Sequence, residues 1–318
     1  MTDQSVLDAA SAGLFAEKKW LPSWLLYDAR GCALYDEITR LPEYYLTRAE
    51  AEIFERQSDT ILALAGGVER KLSFAELGAG NSTKTEALLE AALRSRPSCV
   101  YLACDISQRP LLEGAARLRS NLPRAQLRSF AGTHLDARPA IEALEGRQVL
   151  LFIGSSIGNY PDGEAVQLLA EVRRFLRADA LLVLGADLVK EPQVMQRAYD
   201  DAQGVTAAFS KNILARLNRE LQANFDVEAF QHIALWNEAS SNIEVYLESR
   251  RAQRVQIGAL QQELIFRKGE RIHTETCAKY DSRRIDRILS AAGFSRTATL
   301  VDSAELVAIH LAHVARRA

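Results

Sequence analysis

An excess of charge of either sign is missing from this chain of 318 residues: 39 Lys and Arg stand against 41 Asp and Glu, a net charge of −2. That balance removes the electrostatic case for nucleic acid or an anionic membrane as a partner. Long apolar runs are missing too. No stretch approaches the roughly eighteen uninterrupted apolar residues of a membrane helix. The opening MTDQSVLDAASAGLF has neither the basic start nor the apolar centre of a signal peptide, so the expectation is a soluble cytoplasmic protein. Only four cysteines occur, at 32, 99, 104 and 277, without CxxC spacing or a clustered histidine. A zinc site or a disulfide framework is therefore not expected. Internal repeats and low-complexity segments are absent as well.

What is present is a chain 48% hydrophobic, long enough for one large domain or two ordinary ones. From about residue 60 the pattern alternates. Strands are expected near 72–77, 99–104, 126–130, 149–153 and 180–185, with helices near 83–95, 108–121 and 162–177 and a short one after Pro139. Such alternation with short connections predicts right-handed βαβ units and a parallel sheet. It stops after 185. Helices near 192–203 and 207–221 follow, then short β segments at 243–248, 255–257, 264–267 and 271–275, the last two resembling a hairpin through Lys268-Gly269. A helix at 281–292 and two strands near 296–301 and 306–313 return to the sheet as an antiparallel hairpin. The fold class is thus α/β, a Rossmann-like sheet with a second α+β domain. The division expected is 57–188 with 281–318 for the sheet, and 1–56 with 189–280 for the second domain. In the first of these N-terminal segments, 27–32 reads as a loop closing on Gly31, and Thr47 with Glu50 reads as a capping box.

The first strand runs into Glu76-Leu77-Gly78-Ala79-Gly80. Glycine at 78 and 80 permits positive φ and lets a ligand approach the backbone, and a helix start near Ser82 would present unpaired N–H groups. Asp105 ends the second strand, 25 residues after Gly80, where an acid can accept hydrogen bonds from a ribose diol. A nicotinamide dinucleotide and S-adenosylmethionine both fit that far. The third glycine of the dinucleotide fingerprint and the Walker lysine are both absent, which favours the sulfonium cofactor. At the third strand end, FIGSSIGN places Asn159 where it can hold an amine or carboxylate without adding charge.

ELGAG resembles the E/D-x-G-x-G signature of class I S-adenosylmethionine-dependent methyltransferases, whose seven-stranded sheet also ends in an antiparallel hairpin. Over nearly its full length the chain resembles the ergothioneine-pathway histidine Nα-methyltransferases. The motifs are LYDARGCALYDEITRLPEYYLTRAEAEI, ELGAGNSTKT, FIGSSIGN, GADLVKE, AYDDAQGVTAAFSKN and RIHTETCAKY, in order and correctly spaced. The resemblance implies a small amino acid held between the methyltransferase core and the insertion. Tyr44, Asn159 and Tyr199 would hold its amine and carboxylate, with Tyr44 and Asn159 as the catalytic pair. Tyr27 would line the pocket, and Glu275 would accept a hydrogen bond from the imidazole. Gly78, Gly80, Lys84 and Asp105 would bind the cofactor. Transfer from a sulfonium to an amine mainly needs alignment and an unprotonated nitrogen, so no strong base is obligatory. A monomer with no nucleic-acid or membrane partner is expected.

Three positions depart from the family pattern. Cys277 stands where a serine usually helps hold the imidazole, and a thiol is the weaker hydrogen-bond partner. Val245 stands where methionine is common, which widens the ring pocket. Phe130-Ala131-Gly132-Thr133 lacks the usual acid on the adenine side. Histidine remains the expected substrate. Another aromatic amino acid, such as tryptophan or a prenylated tryptophan, is the alternative within the chemistry, and a non-catalytic binding module with the same fold is the alternative outside it.

Overall fold

The computed structural model describes residues 3–67 and 70–315. The first helices are α1 (Asp3–Leu14), α2 (Ala29–Ile38) and α3 (Leu46–Leu64). The alternating region follows as β1 (Leu72–Leu77), α4 (Glu86–Ser95), β2 (Cys99–Asp105), α5 (Gln108–Asn121), β3 (Ala125–Ala131), α6 (Arg138–Glu142), β4 (Arg147–Phe152), α7 (Asp162–Arg174) and β5 (Leu181–Asp187). Next come α8 (Pro192–Arg197), α9 (Val205–Glu220), β6 (Phe230–Asn237), β7 (Asn242–Ser249), β8 (Gln253–Ile257), β9 (Gln262–Phe266) and β10 (Arg271–Ala278). The chain closes with α10 (Ser282–Ala291), β11 (Phe294–Val301) and β12 (Val307–Val314).

These elements form two compact units, one reaching to Tyr45 and resuming at Lys190–Cys277, the other made of Leu46–Val189 and the chain from Ala278 on. The crossing at Tyr45 comes earlier than the 56/57 boundary suggested by the sequence, because α3 contacts α4, β5, β11 and β12.

The second unit holds a seven-stranded sheet in the order β11-β12-β5-β4-β1-β2-β3. β1 and β5 are buried along their whole lengths, the continuous pattern of parallel strands covered on both faces. β3, at the edge, alternates instead. The five strands β1 to β5 run parallel, and β12 enters antiparallel to β5. The order reverses between β1 and β4, which pair Glu76 with Leu151. Loops leaving those two strands therefore emerge side by side at a topological switch point, where ligands of open α/β sheets bind.

The first unit carries a three-stranded sheet, β10-β7-β6, and a two-stranded one, β8-β9, with α9 against β6 and β7. Here the sequence expectation needs correction. The hairpin is β8 with β9, joined through Gly258–Leu260, whereas β10 pairs beside β7. β6 had no place in the sequence reading, since FQHIALWN carries a polar residue on its buried face, His232.

Three local starts also differ. The helix after the glycine loop begins at Glu86, not Ser82, because Ser82 itself has φ of 58°. α2 begins at Ala29, so Gly31 lies inside it. A Cβ there would sit 1.7 Å from the Leu26 carbonyl oxygen, so close approach rather than loop closure requires this glycine. Finally, Thr47 is already inside α3, and Glu50 caps nothing.

Candidate active site

The glycine loop is shaped from inside the protein. Glu76 is buried, and its carboxyl accepts from Thr85 Oγ1 at 2.6 Å and from the Tyr101 hydroxyl. Tyr101 also reaches Ser82 Oγ at 2.8 Å. The two ends of the loop are thereby tied together before α4 starts. Gly78 and Gly80 both have positive φ, 70° and 52°, and nothing lies within 4 Å of a Cβ built on Gly80. Above that backbone there is open space for a ligand. Asp105 frames it: Oδ2 accepts from the Gly80 N–H at 2.8 Å and Oδ1 from the Ser107 N–H at 2.8 Å. Each carboxylate oxygen keeps a second lone pair for a hydroxyl. An open glycine backbone, an oriented acid and the nearby Lys84 ammonium fit a nucleoside-bearing amino acid such as S-adenosylmethionine.

Burial pushes the Glu76 carboxyl up to about 7, against the opposing hydrogen bonds from Thr85 and Tyr101. Between its ordinary value and about 7, the folded chain holds a proton here that the unfolded chain has released. This contribution to stability is complete at acid pH and is lost as pH rises through the folded value. Glu76→Gln, a neutral mimic, should flatten that slope, which amounts to roughly 3 kcal/mol between about pH 5 and about pH 8. Chemical denaturation of both proteins across that range is the check, and parallel pH curves would refute the assignment.

At the end of β4 the chain turns through two left-handed residues, Gly154 (φ 76°) and Ser155 (φ 54°), into a short 3-10 turn, Ser156–Asn159. Ser155 Oγ accepts from the Asp187 N–H at 2.9 Å, and a Cβ on Gly158 would meet the Ala278 carbonyl at 3.0 Å. Asn159 is thus carried half-buried on a tightly held turn.

The other unit gathers the tyrosines. Tyr27 ends the 3-10 turn Ser23–Leu26 and precedes Asp28, which caps α2 by accepting from the Gly31 N–H at 2.7 Å. Asp28 also accepts from Asn212 and Arg219 of α9, each at 2.7 Å. Burial alone would raise the Asp28 carboxyl, but Gly31, Arg219 and Asn212 together hold it below the usual range. So fixed, Tyr27 packs edge-on against Tyr35 (5.7 Å) and Phe209 (5.5 Å). Tyr35 meets Tyr44 (6.2 Å, hydroxyls 3.3 Å apart), and Tyr44 meets Tyr199 (6.3 Å). Tyr199 is held through its backbone by His232, whose Nε2 lies 2.8 Å from its carbonyl.

Glu275 and Cys277 of β10 join this cluster. The Tyr27 phenol is pushed well above its ordinary range, first by burial and next by the Glu275 carboxylate, with Cys277 also contributing. Tyr44 is raised by burial and then by Tyr35. Both hydroxyls stay neutral, able to donate and accept without adding charge. Burial along β10 alternates as far as Glu275, after which Cys277 and Ala278 are both buried. Thr276 Oγ1 reaches His273 Nε2 at 3.0 Å, while Cys277 is buried. His273 packs against Tyr246 at 5.2 Å, whereas Glu275 and Cys277 act on Tyr27. Val245 is buried and pairs with Ala234 of β6.

The structure therefore groups Tyr27, Tyr44, Tyr199, Glu275 and Cys277 in one unit, and Gly78, Gly80, Lys84, Asp105 and Asn159 in the other. Sequence reasoning missed three neighbours. Tyr35 and Phe209 join the tyrosines, and their signal was only membership of the motifs containing Tyr27 and Tyr199. His134 packs on Phe152 at 5.1 Å, with Nε2 3.8 Å from a Cβ built on Gly78. Burial holds its imidazole below the ordinary range although Asp105 is close.

The family described as histidine-specific, S-adenosylmethionine-dependent methyltransferase matches residues 6–314. Histidine N-alpha-methyltransferase of Mycolicibacterium smegmatis is 39% identical over 92% of this chain and 90% of its own length. The Mycobacterium tuberculosis protein of that name is 40% identical over the same shares. Ergothioneine biosynthesis protein 1 of Schizosaccharomyces pombe is 30% identical over 72% of this chain and 31% of its own. With that coverage, the chain belongs to the histidine-specific, S-adenosylmethionine-dependent methyltransferase family.

Proposed function

We propose that this protein transfers methyl groups from S-adenosylmethionine to the α-amino nitrogen of L-histidine, up to the trimethylated betaine, within ergothioneine biosynthesis. Family membership supports the chemistry and the ring preference. The observation that carries the substrate is Glu275, a carboxylate beside Tyr27 in an otherwise neutral aromatic cluster, where an imidazole N–H would find its acceptor.

In this proposal Gly78, Gly80, Lys84 and Asp105 hold the cofactor, which supplies a methyl group on a sulfonium that departs as a neutral thioether. Asn159, Tyr44 and Tyr199 hold the amine and carboxylate, and Tyr27, Val245, Glu275 and Cys277 surround the ring. The amine lone pair forms the new C–N bond as the C–S bond breaks, and each of the first two transfers leaves a proton that must depart before the next. An α-amine with a pKa of roughly 8 is partly neutral near neutral pH, so alignment carries most of the rate. Neutral phenols and an amide do not favour protonation of the amine as a neighbouring carboxylate would, so the reacting lone pair stays available. We further propose that it works in the cytoplasm, as a monomer, on a small-molecule substrate. Among the described residues no helix is long and apolar enough to cross a membrane.

The test is methyl transfer from labelled cofactor to each of the common amino acids, read by mass. Histidine should gain one, two and three methyl groups in turn. Transfer to tryptophan with histidine inert would replace the substrate and keep the chemistry. A protein binding neither S-adenosylmethionine nor S-adenosylhomocysteine would be a non-catalytic module.

A further inference from the structure

Glu50 is a carboxylate that the proposed chemistry does not use, and it is 1% exposed. Its partners explain why it is there. Oε1 accepts from the Gly154 N–H at 2.7 Å, and Oε2 lies 3.0 Å from the same nitrogen and 2.5 Å from Lys84 Nζ. Two glycines make room for the arrangement. A Cβ on Gly185 of β5 would lie 2.4 Å from Glu50 Oε1, and one on Gly154 would lie 3.1 Å from Lys84 Nζ. One carboxylate from α3 thus joins the loop after β1, the turn after β4 and the middle of β5.

We propose that Glu50 is a positioning residue for the cofactor, acting through Lys84 and the Gly154 turn. Lys84 is a long, flexible cation with 22% of its side chain exposed, and an ammonium on four methylenes has many rotamers to lose. The buried carboxylate fixes where that charge sits, holding the ammonium beside Gly154 at the turn after β4. It also offsets the lysine's charge, which would otherwise repel a sulfonium. The same oxygen pair fixes the Gly154 N–H, and with it the start of the turn that carries Asn159. The inference rests on Lys84 facing the cofactor, as proposed above.

A double-mutant cycle on S-adenosylhomocysteine affinity, measured by calorimetry, separates the two ideas. Lys84→Met tests the role of the lysine itself and should weaken binding. Glu50→Gln keeps the shape of the side chain and removes its charge. It should weaken S-adenosylhomocysteine by a similar factor, roughly ten- to a hundredfold for a lost charge-assisted hydrogen bond. The double variant should be no worse than the poorer single one, because both changes disable one device. A merely structural Glu50 would lower the thermal midpoint without such coupling. Wild-type affinity in Glu50→Gln beside a weakened Lys84→Met would overturn the positioning role and leave the lysine's role standing. Losses that multiply in the double variant would also overturn it. Wild-type affinity in Lys84→Met would overturn both. If Glu50→Gln does not fold, Glu50→Asp, which keeps the charge with a shorter reach, takes its place in the cycle and is judged by the same coupling.

Discussion

Asp187→Ala is expected to lose about 3–5 kcal/mol of stability, the cost of leaving one partner of a buried ion pair without the other. Asp187 closes β5, and its carboxylate lies 2.8 Å from Lys279 Nζ, with side-chain exposures of 0% and 1%. The alanine variant strands an ammonium that cannot reach water without opening the sheet. In a chain of this size the thermal midpoint should fall by on the order of 10 °C. Removing both charges, as Asp187→Leu with Lys279→Met, should cost less than either single change, because neither charge is then left unpaired. The backbone around the pair is also engaged: the Asp187 N–H donates to Ser155 Oγ, and the Tyr280 N–H donates to the Asp187 carbonyl at 2.8 Å. Damage at Asp187 should therefore extend to the turn bearing Asn159. A single variant melting within about 2 °C of wild type would show that the pair contributes little.

The second large effect concerns substrate. Glu275→Ala should weaken histidine by about 1.5–3 kcal/mol, the loss of a hydrogen bond to a charged acceptor, and leave S-adenosylhomocysteine affinity nearly intact. Calorimetry with each ligand separates the outcomes. Equal loss of both would make Glu275 a structural residue of β10. Cys277→Ser supplies the complementary test, since a hydroxyl is a better partner for an imidazole than a thiol. Tighter histidine in that variant supports ring recognition at this end of β10, and unchanged or poorer binding argues for a different ring.

Much of the sheet could be read from sequence because its signals are local. Continuous apolar runs such as VLLFI, ended by the glycine of a turn, are the pattern of strands buried on both faces. Gly78 and Gly80 announce an open backbone turn by residue type alone. The first unit was less legible because its strands are short and their pairing depends on partners far along the chain. Lys268-Gly269 looks like a hairpin turn, yet β9 pairs back to β8 and β10 goes beside β7. Glu50 shows the same limit at a single residue. Its spacing from Thr47 fits a capping box, a local motif, but its carboxylate bonds to residues 34 and 104 positions away.

The sequence by itself determined the family, the α/β sheet, the glycine loop with its acid, and the residue types of the substrate set. Each of these is written in contiguous motifs whose physics is local. Tertiary structure alone decided which side chains meet. It brought Tyr35 and Phe209 into the tyrosine cluster, gave Lys84 a buried partner in Glu50, and sealed Asp187 with Lys279. It also brought Glu275 and Cys277 of β10 to where they act on Tyr27. Strand alternation has a period of two, and burial along β10 leaves it after Glu275. No pattern within RIHTETCAKY marks where that departure falls.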